Sequence, residues 1–240
     1  MKGRIESRVN YFKSHPAALL LFVQLAMLII LPGLHGTSQS TRLVLAVFSI
    51  ISILMAIVVV LRSQALNIIG ITLGAVSILF TVTSMLPGYE TWLACGMILE
   101  GTLYLYAAIA LIWYMLSDHY VTLDEMFAAG ACFTLLGWGF TYAYLALQMF
   151  QPLAFTGVRA PGEPRTWIEL VFLSFTNLSA TGAGDIIPVS PYARLLVIFE
   201  QMFGVAYVGV IVSRFMSLTM TGMEKHRARE RAARDDHQEI

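Results

Sequence analysis

The sequence predicts an all-α membrane protein. Six helices cross the bilayer, and a short re-entrant helix with a glycine-rich loop lies between the fifth and the sixth. Three observations carry this reading. Of the 240 residues, 58% are hydrophobic and only 12% are charged, against about 25% charged in a soluble domain. A soluble fold could not hide so much apolar surface, so the solvent is a bilayer. Six apolar runs reach the roughly 20 residues that a crossing helix needs. One polar, Gly- and Pro-punctuated segment between the last two runs does not. The formal net charge is zero, which gives no electrostatic footprint for a nucleic-acid partner.

The elements follow in order. Residues 1–15 carry Lys2, Arg4, Arg8 and Lys13. They are too charged for a cleaved leader and are expected to be a retained cytoplasmic segment that can meet anionic head groups. The apolar runs cover about 17–34, 42–62, 65–86, 92–116, 121–150 and 192–220. Basic residues before the first run and in the tail EKHRARERAARDDHQEI place both ends on the cytoplasmic side, which requires an even number of crossings. Arg194 and Arg214 bracket the sixth run, about 30 Å apart at 1.5 Å per residue. No Lys or Arg occurs between Arg62 and Arg159, so the chain lacks the arginine ladder of a voltage sensor. The chain therefore divides into a four-helix region at 16–117, a second membrane unit at 118–220 and a charged cytoplasmic tail at 221–240. Cys95 and Cys132 lie inside apolar runs with no ligand-like neighbours and are expected to be packing residues.

The inserted segment is TWIELVFLSFTNLSATGAGDIIPVSP. Its helical part, 166–178, is too short to cross, and Glu169 in the first turn suits the helix dipole. Gly182 and Gly184 then supply backbone freedom, and Asp185, Pro188 and Pro191 follow. The chain enters and leaves on one side. Such backbone survives at membrane depth only when protein shields it or when it lines water. Several copies around an axis can do both. The helix's carboxyl end favours a cation, and glycines let successive carbonyls face one way. A ring of carbonyls can replace a cation's hydration shell. Asp185 would add negative potential at the mouth.

These residues resemble the pore module of bacterial potassium channels, whose pattern is Thr-Val-Gly-Tyr-Gly-Asp after a Ser/Thr-rich pore helix. The resemblance covers about 166–215 and rests on Gly182, Gly184, Asp185, Pro188, Ala193-Arg194, Glu200, Gly204 and Val212-Ser213-Arg214. It implies a homotetramer in a bacterial inner membrane that passes K+ or another monovalent cation without a cofactor. The filter would be Ser179, Ala180, Thr181, Gly182, Ala183, Gly184 and Asp185. The carbonyls of Ala180, Thr181, Gly182 and Ala183 would hold the ion. Phe172, Leu173, Thr176, Asn177 and Glu200 would support the pore helix, and Gly204 and Gly209 are candidate hinges. Three departures weaken the pattern. Ala180 replaces the threonine of the innermost site, Thr181 replaces valine, and Ala183 replaces the bracing tyrosine. Phe172 and Leu173 stand where that tyrosine's tryptophan partners would be, and neither offers a donor. Reduced potassium preference is expected, and restoring Thr at 180 is expected to strengthen the innermost site.

Two buried acids need partners. Glu200 is expected behind the filter, accepting from Thr176 or Ser174, the alternative being a cavity-facing acid that attracts cations. Glu100 lies inside the fourth run with no basic residue near in sequence, so it is expected to be protonated or bonded to Tyr104 or a neighbouring Ser/Thr. Gly137 and Gly139 are expected to pack. The competing functions are a secondary transporter and a non-conducting channel-like subunit. The first four runs contain no second GxG hairpin, as a transporter with two related halves would require. No nucleophile–base pair suggests an enzyme.

Overall fold

The computed structural model describes residues 16–33, 39–62, 67–83, 90–117, 123–157 and 163–236. The basic opening segment at 1–15 and the last residues of the tail lie outside them. The order is α1 (Pro16–Ile30, continued by a 3-10 turn at Leu31–Gly33), α2 (Gln39–Arg62), α3 (Asn67–Thr83), α4 (Glu90–Ser117), α5 (Leu123–Phe150), β1 (Phe155–Gly157), α6 (Trp167–Leu178), β2 (Ile186–Pro188) and α7 (Pro191–Asp236). Helices thus stand at all seven expected positions. Among the described residues, three windows are long and apolar enough to cross a membrane: Trp92–Ser117, Glu125–Phe150 and Pro191–Met216. The apolar stretches Ala17–Gly33, Leu43–Val58, Asn67–Thr83 and Trp167–Leu178 are shorter.

One feature differs from the all-α expectation, and one from the expected boundaries. Phe155–Gly157 and Ile186–Pro188 pair as a small antiparallel sheet, with Phe155 opposite Pro188 and Gly157 opposite Ile186. Three-residue strands leave too weak an alternation to be read from sequence. The helix after the loop also continues to Asp236, with no break at the expected start of the tail at 221. Cys132 is fully buried as expected, whereas Cys95 is exposed on α4.

The core centres on α5, which packs against α1, α4, α6 and α7. Its Leu135, Trp138 and Tyr144 are fully buried. Of the Glu125–Phe150 window, 72% is buried, against 17% of Pro191–Met216. Helix α7 therefore leaves most of an apolar surface uncovered within one chain. Helices approach closely where side chains vanish, as membrane packing favours. A Cβ on Gly101 would stand 3.1 Å from the Gly139 carbonyl, and one on Gly139 would stand 2.9 Å from Leu105. Gly137 lies 2.8 Å, by the same measure, from the Phe175 ring. Both Gly137 and Gly139 are packing residues, as read. On α3, Gly70, Gly74 and Ser77 form the buried face. Gly70 meets Val60, and Gly74 meets Ile57 and Ile53 of α2.

Gly101→Leu should force α4 from α5 and cost about 1–3 kcal/mol. Gly33→Ala, with nothing within 4 Å of the new Cβ, should be silent. Thermal unfolding of the detergent-solubilised protein compares the two.

Candidate functional site

The loop between α6 and β2 is built from α6 outward. Thr166 caps the helix: its backbone N–H donates to Glu169 Oε2 at 2.7 Å, and its Oγ1 accepts from the Glu169 N–H. This is a capping box. Arg165, just before the cap, is buried. Gln148 at the end of α5 holds it, accepting from the Arg165 N–H at 2.6 Å and donating to the Arg165 carbonyl at 2.9 Å. The Arg165 guanidinium bonds the Glu163 carbonyl and stands 3.5 Å from Glu169. A buried backbone amide pair needs such a partner, and Gln148 supplies both halves. The far end of the loop is tied to the same region. The Ala154 carbonyl accepts from the Val189 N–H at 2.8 Å, and β1 pairs with β2. Ser190 then caps α7, with its Oγ accepting from the Ala193 N–H at 3.2 Å, and Pro191 occupies the first helical position.

Between these anchors the chain turns on one acceptor, the Thr176 carbonyl. It receives the N–H of Thr181 at 3.0 Å and the N–H of Gly182 at 3.1 Å. Thr181 Oγ1 adds a bond at 3.1 Å, and Ser179 Oγ adds one at 3.3 Å. The peptides are trans, and a trans peptide holds N–H and C=O on opposite sides. With both N–H groups aimed at α6, the carbonyls of Ala180 and Thr181 point away from it. The backbone alternates in hand to allow this. Ala180 has φ 57° and Gly182 has φ 60°. The left-handed residues are therefore Ala180 and Gly182, not the two glycines. An alanine held there costs about 1–2 kcal/mol. A β-branched threonine at 180 would carry more backbone strain still at this φ.

Each expected site residue has a place. Ser179 through Asp185 are exposed within one chain. Thr181 turns its hydroxyl back to α6. Phe172 is exposed and faces Gly184, whose added Cβ would stand 3.8 Å from the ring. Leu173 is buried in the core and does not share that position. Asn177 accepts from Gln201 Nε2 at 3.3 Å. Gly204 passes so close to the end of α6 that a Cβ would run into the Leu178 carbonyl. Its missing side chain is thus explained by packing. Gly209 has nothing within 4 Å in one chain.

Glu200 is fully buried behind the loop. It accepts from Ser174 Oγ, which lies 2.7 Å from the Gly137 carbonyl, and from the Tyr144 hydroxyl. One carboxylate thereby links α5, α6 and α7. Ser174 is the expected donor. Thr176 is not, because its hydroxyl bonds the Leu173 carbonyl at 3.0 Å. Tyr144 was missed, since nothing in sequence aligns a residue of α5 with one 56 positions later.

The arrangement defines a class: a helical membrane protein whose last two long helices carry between them a short helix and an exposed turn with co-directed carbonyls. The family model for an ion channel matches residues 101–221, just over half of the chain. The chain belongs to that family, the two-helix ion-channel domain of the potassium-channel superfamily. No curated protein and no solved structure matches the chain.

Glu200→Ala should leave the Tyr144 hydroxyl without its acceptor, at about 1–3 kcal/mol, while Ser174 keeps the Gly137 carbonyl. Gly204→Ala should displace the end of α6. Both should lower the unfolding temperature more than Gly209→Ala, read by the same melt.

Proposed function

We propose that the chain is a subunit of a homotetrameric monovalent-cation channel of the potassium type. The observation that carries this reading is the pair of carbonyls at Ala180 and Thr181, both turned away from α6 on the exposed side of the loop. Four copies would close them into rings, with those of Gly182 and Ala183 above, and such rings replace an ion's hydration shell. Helix α6 is the pore helix, with its carboxyl end toward the cation. Ser179–Asp185 is the filter, and Asp185 adds negative charge at the outer mouth. The uncovered apolar surface of α7 supports neighbouring copies and lipid as its cover. The helices cross six times in a bacterial inner membrane, with both termini cytoplasmic, and α6 with its loop is re-entrant.

Selectivity follows from how the filter is held. In place of an aromatic brace, its inner half hangs on the Thr176 carbonyl by two N–H groups and two hydroxyls. Among the described residues of one chain, Ala183, Gly184 and Asp185 make no comparable bond. The outer half is therefore soft, and Ala180 removes four hydroxyls from the innermost site. K+ passes with weaker preference over Na+ than in relatives with the tyrosine. The family match supports channel function over a transporter.

Planar-bilayer recording with K+ on one side and Na+ on the other tests this. Unitary currents are expected, with a reversal potential between zero and the potassium value. Gly182→Val, β-branched at φ 60°, should abolish current with assembly intact, whereas Ala180→Gly, which relieves strain, should keep it. Absence of current from the wild-type tetramer, or unchanged current in Gly182→Val, would sink the reading.

A further inference from the structure

A second polar site lies away from the loop, between α2, α3, α4 and α5. Glu100 on α4 is fully buried. It accepts from Ser49 Oγ of α2 at 2.6 Å and from the Tyr104 hydroxyl at 2.6 Å. The Tyr142 hydroxyl of α5 faces the same carboxylate, and its ring meets that of Tyr104 edge to face, with centroids 5.5 Å apart. Ser52 of α2 lies beside Tyr104. Its Oγ is buried without a hydrogen bond of normal geometry. Ser77 of α3 is likewise buried with an unpartnered Oγ. The register brings it to the same level. Gly74 meets Ile53 of α2, and Gly96 of α4 meets Phe80 of α3. One turn from each contact, Ser77 stands level with Ser49 and Glu100.

Two things are left over here. The first is a carboxyl with no counter-charge beside it: the elements packed on α4 are α2, α3 and α5, α2 carries Arg42 and Arg62 only near its ends, and no Lys or Arg occurs between Arg62 and Arg159. Hydroxyl donors soften a buried carboxylate's cost but do not neutralise it. The second is a pair of hydroxyl oxygens with free lone pairs, which is costly in a dry interior. A small cation satisfies both at once. Carboxylate and hydroxyl oxygens are hard ligands that suit an alkali ion. A single carboxylate does not make the charge-rich cage of a divalent site, and among the described residues no cluster of three His, Cys, Asp or Glu exists.

We propose that Glu100, Ser49, Ser52, Ser77, Tyr104 and Tyr142 form a binding site for one small alkali cation, sodium, outside the conduction path. Glu100 is the anionic ligand and the serine and tyrosine oxygens complete the shell. Occupancy locks α2 and α3 onto α4 and α5. Tyr142 also packs edge to face on Trp167, with centroids 5.3 Å apart, at the first turn of α6. The consequence for conduction rests on the proposed pore, but the site itself does not.

The test is thermal unfolding of the purified full chain in detergent at pH 8.5. Choline chloride is replaced by sodium chloride at constant ionic strength. The wild type should gain about 3 °C or more and then saturate, as for a ligand that binds only the folded state. Glu100→Gln should remove the gain. Ser52→Ala with Ser77→Ala, a milder change if Glu100→Gln misfolds, should raise the sodium needed about tenfold. Gly182→Val should keep the full gain, which separates this site from filter ions. The proposal is overturned by equal melting in choline and sodium, by a gain that survives in Glu100→Gln and in the serine pair, or by a gain lost with Gly182→Val. A melt that follows pH alone also overturns it, assigning the carboxyl a proton instead.

Discussion

The Thr176 carbonyl is the fixed point of the site. A helix leaves its last carbonyls without intrahelical partners, and in most helices water or a cap takes them. Here the chain folds back so that two consecutive backbone N–H groups and two hydroxyls converge on one of them. That convergence dictates the hand of Ala180 and Gly182, and it turns the next carbonyls outward. Were Thr176 O satisfied by water instead, nothing within one chain would set the direction of the Ala180 and Thr181 peptides.

A fixed point is useful only if the helix carrying it is fixed. Helix α6 is held at its start by the amide of Gln148 around Arg165, at its middle by Ser174 on Glu200 and on the Gly137 carbonyl, and at its end by Gly204 against Leu178. Two of these anchors come from α5 and two from α7. The β1–β2 pair closes the far side, so the seven residues of the loop span a frame whose ends are both tied near the end of α5. The first four helices pack behind this frame, and the Leu31–Gly33 turn that ends α1 touches α6 directly.

Much of this was legible in sequence. Apolar run length located the six long helices, and the short run before the glycines, with Glu169 in its first turn, located α6. The GAGD segment, with its neighbours in register, disclosed the family. Glu100 was readable as an acid in need of hydroxyls, since an intramembrane carboxylate must find partners. What stayed hidden was non-local or contrary to propensity. The Tyr144–Glu200 and Gln148–Arg165 pairs join distant segments with no periodicity to link them. The left-handed Ala180 defies the expectation that glycine takes such positions. Three-residue strands fall below any alternation signal. Leu173 was grouped with Phe172 by analogy with an aromatic pair, but adjacent residues on a helix face different ways.

The departures at Ala180 and Ala183 therefore do not dismantle the site but change what holds it. Hydroxyls at Ser179 and Thr181 take the inner half, and the outer half is left without a brace in its own chain. The most direct measurement is anomalous diffraction from crystals of the assembled protein grown with thallium in place of potassium. The account predicts a fourfold axis with thallium peaks level with the carbonyls of Ala180 and Thr181, and weaker, smeared density beside Ala183. An axis without thallium, or a loop whose Ala180 and Thr181 carbonyls turn back toward α6, would contradict it.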